Sequence, residues 1–250
     1  MIGGGVGDYF GEAVAARYDE GEASDPSVVG PTVELLAQLA GDGRAVEFAI
    51  GTGRIALPLA ARGIPVAGMD TSEAMLARLR AKPGAERIET VLGDMRTTRL
   101  PGAFRVAYLV FNTINNLTTQ DEQVACFQNV AAHLEPGGCF VIEVLVPGLR
   151  RLPPGETFQP FDVSPTHLGF DEYDVAPQSL VSHHYWIIDG KVDVRSIPFR
   201  YVWPSELDLM ARLAGMKLRE RWSGWKGEPF TSDSTKHVSV WEKTGSPPRG

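Results

Sequence analysis

The sequence predicts an α/β fold: an open, mostly parallel sheet of seven strands with helices on both faces. Strand and helix patterns alternate from residue 40 to residue 146, which is typical of parallel strands joined by helical crossovers. The last two predicted strands, 218–222 and 238–242, are joined by a polar loop without a helix. We therefore expect a terminal antiparallel hairpin to close the sheet. Between residues 147 and 203 the alternation stops, which predicts a small antiparallel β insertion after strand 5.

The individual elements follow from local signals. The predicted helices are 8–18, 27–39, 54–61, 120–133 and 206–214, and the first three strands are apolar stretches at 46–50, 64–70 and 88–92. The fourth strand, 106–111, is apolar throughout, as expected of a strand buried on both faces. Thr119 and Glu122 form a capping-box pattern before the helix that ends at His133. A turn at 135–138 leads into strand 5, 139–144, and Ser205 is the expected N-cap of the last helix.

Composition limits the function classes. The 250 residues suit a single domain (1–250) with an insertion, and 24 basic against 31 acidic residues give a net charge of −7. That balance disfavours nucleic acid or an anionic membrane as a partner. No apolar run approaches the ~20 residues of a membrane helix, and two cysteines are too few for a disulfide framework or a metal site. We expect a cytoplasmic protein without a metal and with a disordered tail at 245–250.

A glycine-rich turn is the most informative motif. Gly51 and Gly53 follow the first strand and precede a helix, so backbone N–H groups are available at the edge of the sheet. Asp70 ends the second strand, and Asp94 follows the third. Because parallel strands end at the same edge of a sheet, these acids and the glycine turn predict one ligand crevice.

Two ligand classes fit such a crevice. The glycine turn with Asp70 downstream also matches a dinucleotide fingerprint, in which the helix N-terminus would hold a pyrophosphate. Glu47, four residues before Gly51, disfavours a phosphate beside it. S-adenosylmethionine carries an ammonium, a sulfonium and a ribose diol but no phosphate, so we predict this cofactor. Glu47 is then expected to face the methionine end and Asp70 the ribose, while Asp94 and Met95 flank the adenine.

The motifs at 46–61, 69–75, 93–96 and 134–138 resemble those of class I S-adenosylmethionine-dependent methyltransferases, in order and spacing. The resemblance covers most of the chain and implies a Rossmann-like fold and methyl transfer. Ala49 departs from the family pattern, which has a glycine there. The residues predicted to bind the cofactor are Tyr18, Glu47, Ala49, Gly51, Gly53, Asp70, Thr71, Met75, Asp94, Met95, Phe111 and Asn112.

The insertion and the segment after strand 4 bear on the methyl acceptor. The chain more loosely resembles the amino-sugar N,N-dimethyltransferases, which carry a comparable insertion and a ring side chain where Asn116 stands here. Asn116, Glu143 and His184 are the candidate catalytic residues, and His183 and His184 are expected on opposite faces of a strand. The insertion is a substrate lid or a homodimer interface, and the sequence leaves both open.

We predict methyl transfer to a nitrogen or oxygen of a small metabolite in natural-product biosynthesis. The alternatives are a nicotinamide-dependent oxidoreductase and a non-catalytic S-adenosylmethionine-binding protein.

Overall fold

A computed structural model describes residues 10–20, 25–188 and 190–245. The main sheet contains β1 (Ala45–Phe48), β2 (Val66–Asp70), β3 (Ile88–Leu92), β4 (Phe104–Leu109), β5 (Leu134–Leu145), β10 (Met216–Trp222) and β11 (Lys236–Lys243). The second sheet contains β6 (Phe158–Val163), β7 (His167–Asp174), β8 (Ser179–Ile188) and β9 (Lys191–Arg200). The helices are α1 (Glu12–Ala15), α2 (Pro26–Ala40), α3 (Ala56–Ala61), α4 (Glu73–Arg80), α5 (Gln120–His133) and α6 (Pro204–Leu213).

The main sheet has the strand order β10-β11-β5-β4-β1-β2-β3. β1 to β5 pair in parallel, whereas β11 is antiparallel to both β5 and β10. This arrangement confirms the predicted mostly parallel sheet with a terminal antiparallel hairpin. The order reverses between β1 and β4, and ligands bind at the carboxyl ends of strands beside such a reversal.

Two apolar layers cover the main sheet, one on each face. Side chains alternate along β1, so that Val46 and Phe48 join one layer and Ala45 the other. Helices α5 and α6 pack on the first face and α2, α3 and α4 on the second. None of the helices in the described ranges has the length and hydrophobicity needed to cross a membrane.

The second sheet is attached to the main domain through a buried arginine. Arg200, at the end of β9, is only 4% exposed. Its guanidinium donates to Gln123 Oε1 on α5 (2.5 Å) and to Glu206 Oε1 on α6 (2.7 Å). The Gln123 amide donates to the Arg200 carbonyl at 3.2 Å. These contacts fix the near end of the second sheet against two helices.

Some local predictions were wrong. The N-terminal helix is a single turn, α1, followed by a 3-10 turn at Tyr18–Glu20. Trp203, not Ser205, is the N-cap of α6, because Pro204 already occupies the first helical position. The turn predicted at 135–138 lies within β5. The first residues of the predicted N-terminal helix and residues 246–250 of the predicted tail lie outside the described residues.

Candidate active site

A cavity of about 550 Å³ lies at the carboxyl ends of the central strands. Its size is within the usual range for small-molecule sites, roughly 300–1,000 Å³. The predicted cofactor residues that line it are Tyr18, Ala49, Gly51, Asp70, Thr71, Met75, Asp94 and Met95. Of the predicted catalytic residues, Asn116 lines it. The sequence analysis did not select the other lining residues, which are Phe10, Arg96, Thr113, Leu117, Thr118, Glu122 and Pro198.

Asp70 joins the glycine turn to the end of β2. Its Oδ2 accepts the Gly51 N–H at 2.8 Å, and its Oδ1 accepts the Ser72 N–H at 2.8 Å. Burial raises the pKa of this carboxyl. Each oxygen can accept a further hydrogen bond, since a carboxylate has about four lone-pair sites. An acceptor pair at the cavity wall fits a ribose diol, so the donor and acceptor set suits S-adenosylmethionine.

The glycine turn has a left-handed backbone at three positions. Ala49 has φ +63°, Gly51 +55° and Gly53 +78°. For a non-glycine residue this conformation costs roughly 1–2 kcal/mol, so Ala49 is strained at the cavity wall. Gly53 does not line the cavity. A Cβ there would lie 2.9 Å from the Leu79 side chain, so Gly53 permits the turn to pack on α4.

Glu47 lies behind the glycine turn and does not line the cavity. Its side chain is buried, and Tyr108 Oη donates to its Oε2 at 3.1 Å. Burial raises the pKa of Glu47 to about 8. At neutral pH the carboxyl is therefore mostly protonated. A neutral Glu47 would not repel a phosphate, so this residue does not distinguish S-adenosylmethionine from a dinucleotide, and the fold and the family assign the cofactor instead.

An ion triplet of Asp94, Arg96 and Glu122 forms another part of the cavity wall. Arg96 Nε lies 2.9 Å from Asp94 Oδ2, and the Arg96 guanidinium also contacts Glu122 on α5. Hydrogen bonding from Arg96 lowers the pKa of Asp94, which stays negative. The position of Arg96, two residues after Asp94, was the one sequence signal that could have identified this partner.

The N-terminal segment is fastened over the cavity by polar contacts. Ser72 Oγ donates to the Phe10 carbonyl at 2.6 Å, and Thr52 Oγ1 donates to Asp19 Oδ1 at 2.6 Å. Lys82 Nζ forms an ion pair with Asp19 Oδ2 at 2.6 Å. These contacts hold Phe10 and Tyr18 at the cavity wall.

The turn after β4 brings polar side chains to the cavity wall. Phe111 and Asn112 both have left-handed backbones, with φ +63° and +61°, and neither lines the cavity. A 3-10 helix (Thr113–Asn116) follows at once and places Thr113 and Asn116 at the wall. The Asn116 Oδ1 is buried and has no hydrogen-bond partner within the described part of the chain.

The two other predicted catalytic residues lie away from the cavity wall. Glu143 accepts the Phe111 N–H at 3.2 Å and the Trp225 indole N–H at 3.0 Å. His184 lies on the second sheet, where it accepts from or donates to His167 at 3.0 Å. The pairing of Val181 with Pro198 and of Gly169 with His184 places His184 on the face opposite the Pro198 side chain. Burial lowers the pKa of His184 to about 4.

Comparisons with known proteins agree with this architecture. Residues 45–138 match the family model described as a methyltransferase domain. The structure of the CcbJ methyltransferase from Streptomyces caelestis is 34% identical, covers 94% of this chain and 98% of its own, and superposes with a TM-score of 0.84.

Two further relatives extend the similarity. The cypemycin N-terminal methyltransferase of a Streptomyces species is 29% identical over 245 residues, which is 90% of this chain and 97% of that protein. An S-adenosylmethionine-bound amino pentose methyltransferase from Micromonospora echinaspora shares the fold at 23% identity, with a TM-score of 0.70 over 93% of this chain and 96% of its own. None of these relatives supports an oxidoreductase. The chain belongs to the class I S-adenosylmethionine-dependent methyltransferases.

Proposed function

We propose that the protein methylates a nitrogen of a small natural-product metabolite. S-adenosylmethionine, when bound, supplies an activated methyl carbon. The chain's own residues have to hold the cofactor, orient the acceptor and exclude water, and such alignment can lower the barrier by ~7–11 kcal/mol. Asp70 and the N–H groups of the glycine turn would hold the cofactor, with Asp94 and Met95 at its adenine.

The composition of the cavity wall carries the choice of nitrogen over oxygen. No histidine, cysteine or lysine lines the cavity among the residues that the structure describes. Of its acids, Asp94 and Glu122 are paired with Arg96, and Asp70 already accepts two backbone N–H groups. A hydroxyl acceptor needs a base to remove its proton, whereas an amine that arrives unprotonated needs none. Two of the relatives are named for amine-bearing acceptors, an N-terminus and an amino pentose.

An acceptor panel tests the proposal. Purified protein is offered pairs of small amines and their hydroxyl analogues, among them amino sugars and their hydroxy counterparts, and S-adenosylhomocysteine is measured. We expect turnover only with amines, at a rate that rises with pH as the amine loses its proton. Methylation of the hydroxyl members alone would refute the choice of nitrogen. Asp70→Ala serves as the inactive control.

We also propose that the insertion, residues 147–203, supports a homodimer. The strand pairing places six exposed apolar side chains on one face of the second sheet, and these are Phe158, Val163, Leu168, Ile187, Val192 and Val194. Two acids share this face, Glu172, whose Oε2 lies 3.1 Å from His183 Nε2, and Asp174 at the end of β7. Large exposed apolar patches mark interaction sites.

Light scattering tests the homodimer. We expect the wild-type protein to be dimeric and Val194→Lys to be monomeric. Leu213→Lys, at an exposed apolar position on α6, is the matched control and should leave the dimer intact. A wild-type protein that is monomeric at high micromolar concentration would instead favour the lid as the role of the insertion. A cytoplasmic location stays a prediction from composition.

A further inference from the structure

The turn at Phe111 and Asn112 is the most strained part of the cavity surroundings. Two successive non-glycine residues have left-handed backbones there. Asparagine adopts this conformation readily, but phenylalanine does so rarely. Such strain persists only where surrounding contacts hold it, and it is concentrated at functional sites. The contacts that hold this turn therefore indicate what the site requires.

Glu143 supplies most of these contacts. Its Oε2 accepts the Phe111 N–H at 3.2 Å, and its carbonyl accepts the Asn112 N–H at 3.1 Å. Its Oε1 accepts the Trp225 indole N–H at 3.0 Å from the loop after β10. Asn112 Oδ1 adds a bond from the Leu145 N–H at 2.7 Å, two residues further along β5. One carboxylate thus connects the turn, β5 and a distant loop.

The turn at Phe111 and Asn112 also fixes part of the cavity wall. Asn112 is the N-terminal cap of the 3-10 helix that presents Thr113 and Asn116, and the Asn115 N–H donates to the Asn112 carbonyl at 2.9 Å. A shift at Phe111 would therefore move the only asparagine of the cavity wall among the described residues, whose buried Oδ1 has no partner among them. Displacement of a positioning group by about 1 Å can lower a rate by about 10²-fold.

We propose that Glu143 is a positioning residue that holds the strained turn at Phe111 and Asn112, and thereby the cavity wall at Thr113 and Asn116. It does not accept a proton from the acceptor. Both side-chain oxygens already accept N–H donors, and neither belongs to the cavity wall. The inference rests on the proposed function only for its turnover measurement.

Glu143→Gln tests the role with little change in shape. An amide keeps one acceptor oxygen but places an NH₂ against the second N–H donor, so one of the two bonds must be lost. We expect hydrogen–deuterium exchange of the peptide spanning 110–118 to accelerate at least about ten-fold, because local opening becomes easier. The Kd for S-adenosylhomocysteine should change by less than about three-fold, a small shift in binding free energy.

With an acceptor from the panel, the kcat/KM of Glu143→Gln should fall about 10²-fold, as expected when a wall residue is misplaced. The pH profile should keep its shape, since no titrating base has been removed. Trp225→Phe keeps the Phe111 bond and should have a smaller effect in the same direction. Glu135→Gln, at the other end of β5 in an exposed pair with Arg105, is the matched control and should change none of these quantities.

Three results would overturn the proposal. The first is unchanged hydrogen–deuterium exchange in residues 110–118. The second is a loss of S-adenosylhomocysteine affinity beyond about ten-fold, which would place Glu143 at the cofactor. The third is the disappearance of a pKa from the pH profile, which would make Glu143 a base. The first two need no acceptor. The role of Glu143 can therefore be refuted while the proposed function holds, and it can be supported while the proposed function is refuted.

Discussion

Replacing Ala49 by glycine tests whether the departure from the family's glycine pattern has a measurable consequence. The Ala49 backbone has φ +63°, which glycine adopts without strain. Relief of that strain stabilises the fold by roughly 1–2 kcal/mol, and the greater freedom of glycine in the unfolded chain offsets about 0.5–1 kcal/mol of this. The expected net gain is about 0–1.5 kcal/mol, or up to about 5 °C in Tm for a chain of this size.

The cofactor should also bind more tightly to Ala49→Gly. Ala49 lines the cavity, so removal of its Cβ lets a ligand approach the backbone more closely. A gain of about 0.5–1 kcal/mol corresponds to a two- to five-fold lower Kd for S-adenosylhomocysteine. Calorimetric titration measures the Kd, and thermal unfolding without ligand measures Tm separately.

Ala67→Gly is the matched control for this substitution. Ala67 is fully buried in the regular strand β2. Glycine there adds backbone freedom and removes a buried methyl, which together should destabilise by about 1–2 kcal/mol. If Ala49→Gly lowers Tm as Ala67→Gly does, the strain at Ala49 is not real and the reasoning from its φ angle fails.

Three further substitutions test other parts of the structure. Asp70→Ala leaves one buried and one part-buried N–H donor without their acceptor, so we expect a loss of about 1–3 kcal/mol in chemical denaturation and at least about ten-fold weaker S-adenosylhomocysteine binding; the exposed Asp42→Ala should change neither. The folded-state pKa of Glu47, about 8, lies above its unfolded value of 4.5, so its stabilisation is complete below pH 4.5 and is lost as pH rises towards 8. Glu47→Gln should therefore remove a slope of roughly 1.4 kcal/mol per pH unit in that window, and an unchanged slope in urea denaturation would contradict the buried, protonated carboxyl. Arg200→Met leaves Glu206 in a largely buried site without its ion-pair partner and should destabilise by about 3–5 kcal/mol, whereas Arg195→Met removes an exposed pair worth about 0–1 kcal/mol; equal effects on the urea midpoint would show that Arg200 does not anchor the second sheet.

The parallel sheet was predictable because its signals are local. The glycine turn, the strand-ending Asp70 and the capping box at Thr119 and Glu122 each need fewer than ten residues to be recognised. The structure contains the capping box as expected, with Glu122 N–H to Thr119 Oγ1 at 3.2 Å. The nine wall residues that the sequence located, which are eight predicted cofactor residues and Asn116, also belong to local motifs or to the leading segment.

The residues that the sequence misplaced depend on distant contacts. Glu143 is fixed by Trp225, which lies 82 positions away, and no local pattern indicates that bond. Glu47 is acidic in the sequence, but its burial against Tyr108 keeps it mostly neutral. Strand β6 was not predicted, because Pro160 interrupts its pattern and only pairing with β7 makes it a strand.

Prolines stand in both outer strands of the second sheet. The strand order is β6-β7-β8-β9, with Pro160 in β6 and Pro198 in β9. Each proline removes one backbone N–H from its strand, and β6 also has a register shift after Pro160. Prolines and bulges are the devices by which natural sheets resist extension by another chain's strand. We therefore expect neither outer strand to pair along its whole length with a strand of another copy. A homodimer of the kind proposed would use the face of the second sheet and form a closed pair, not an open-ended fibre.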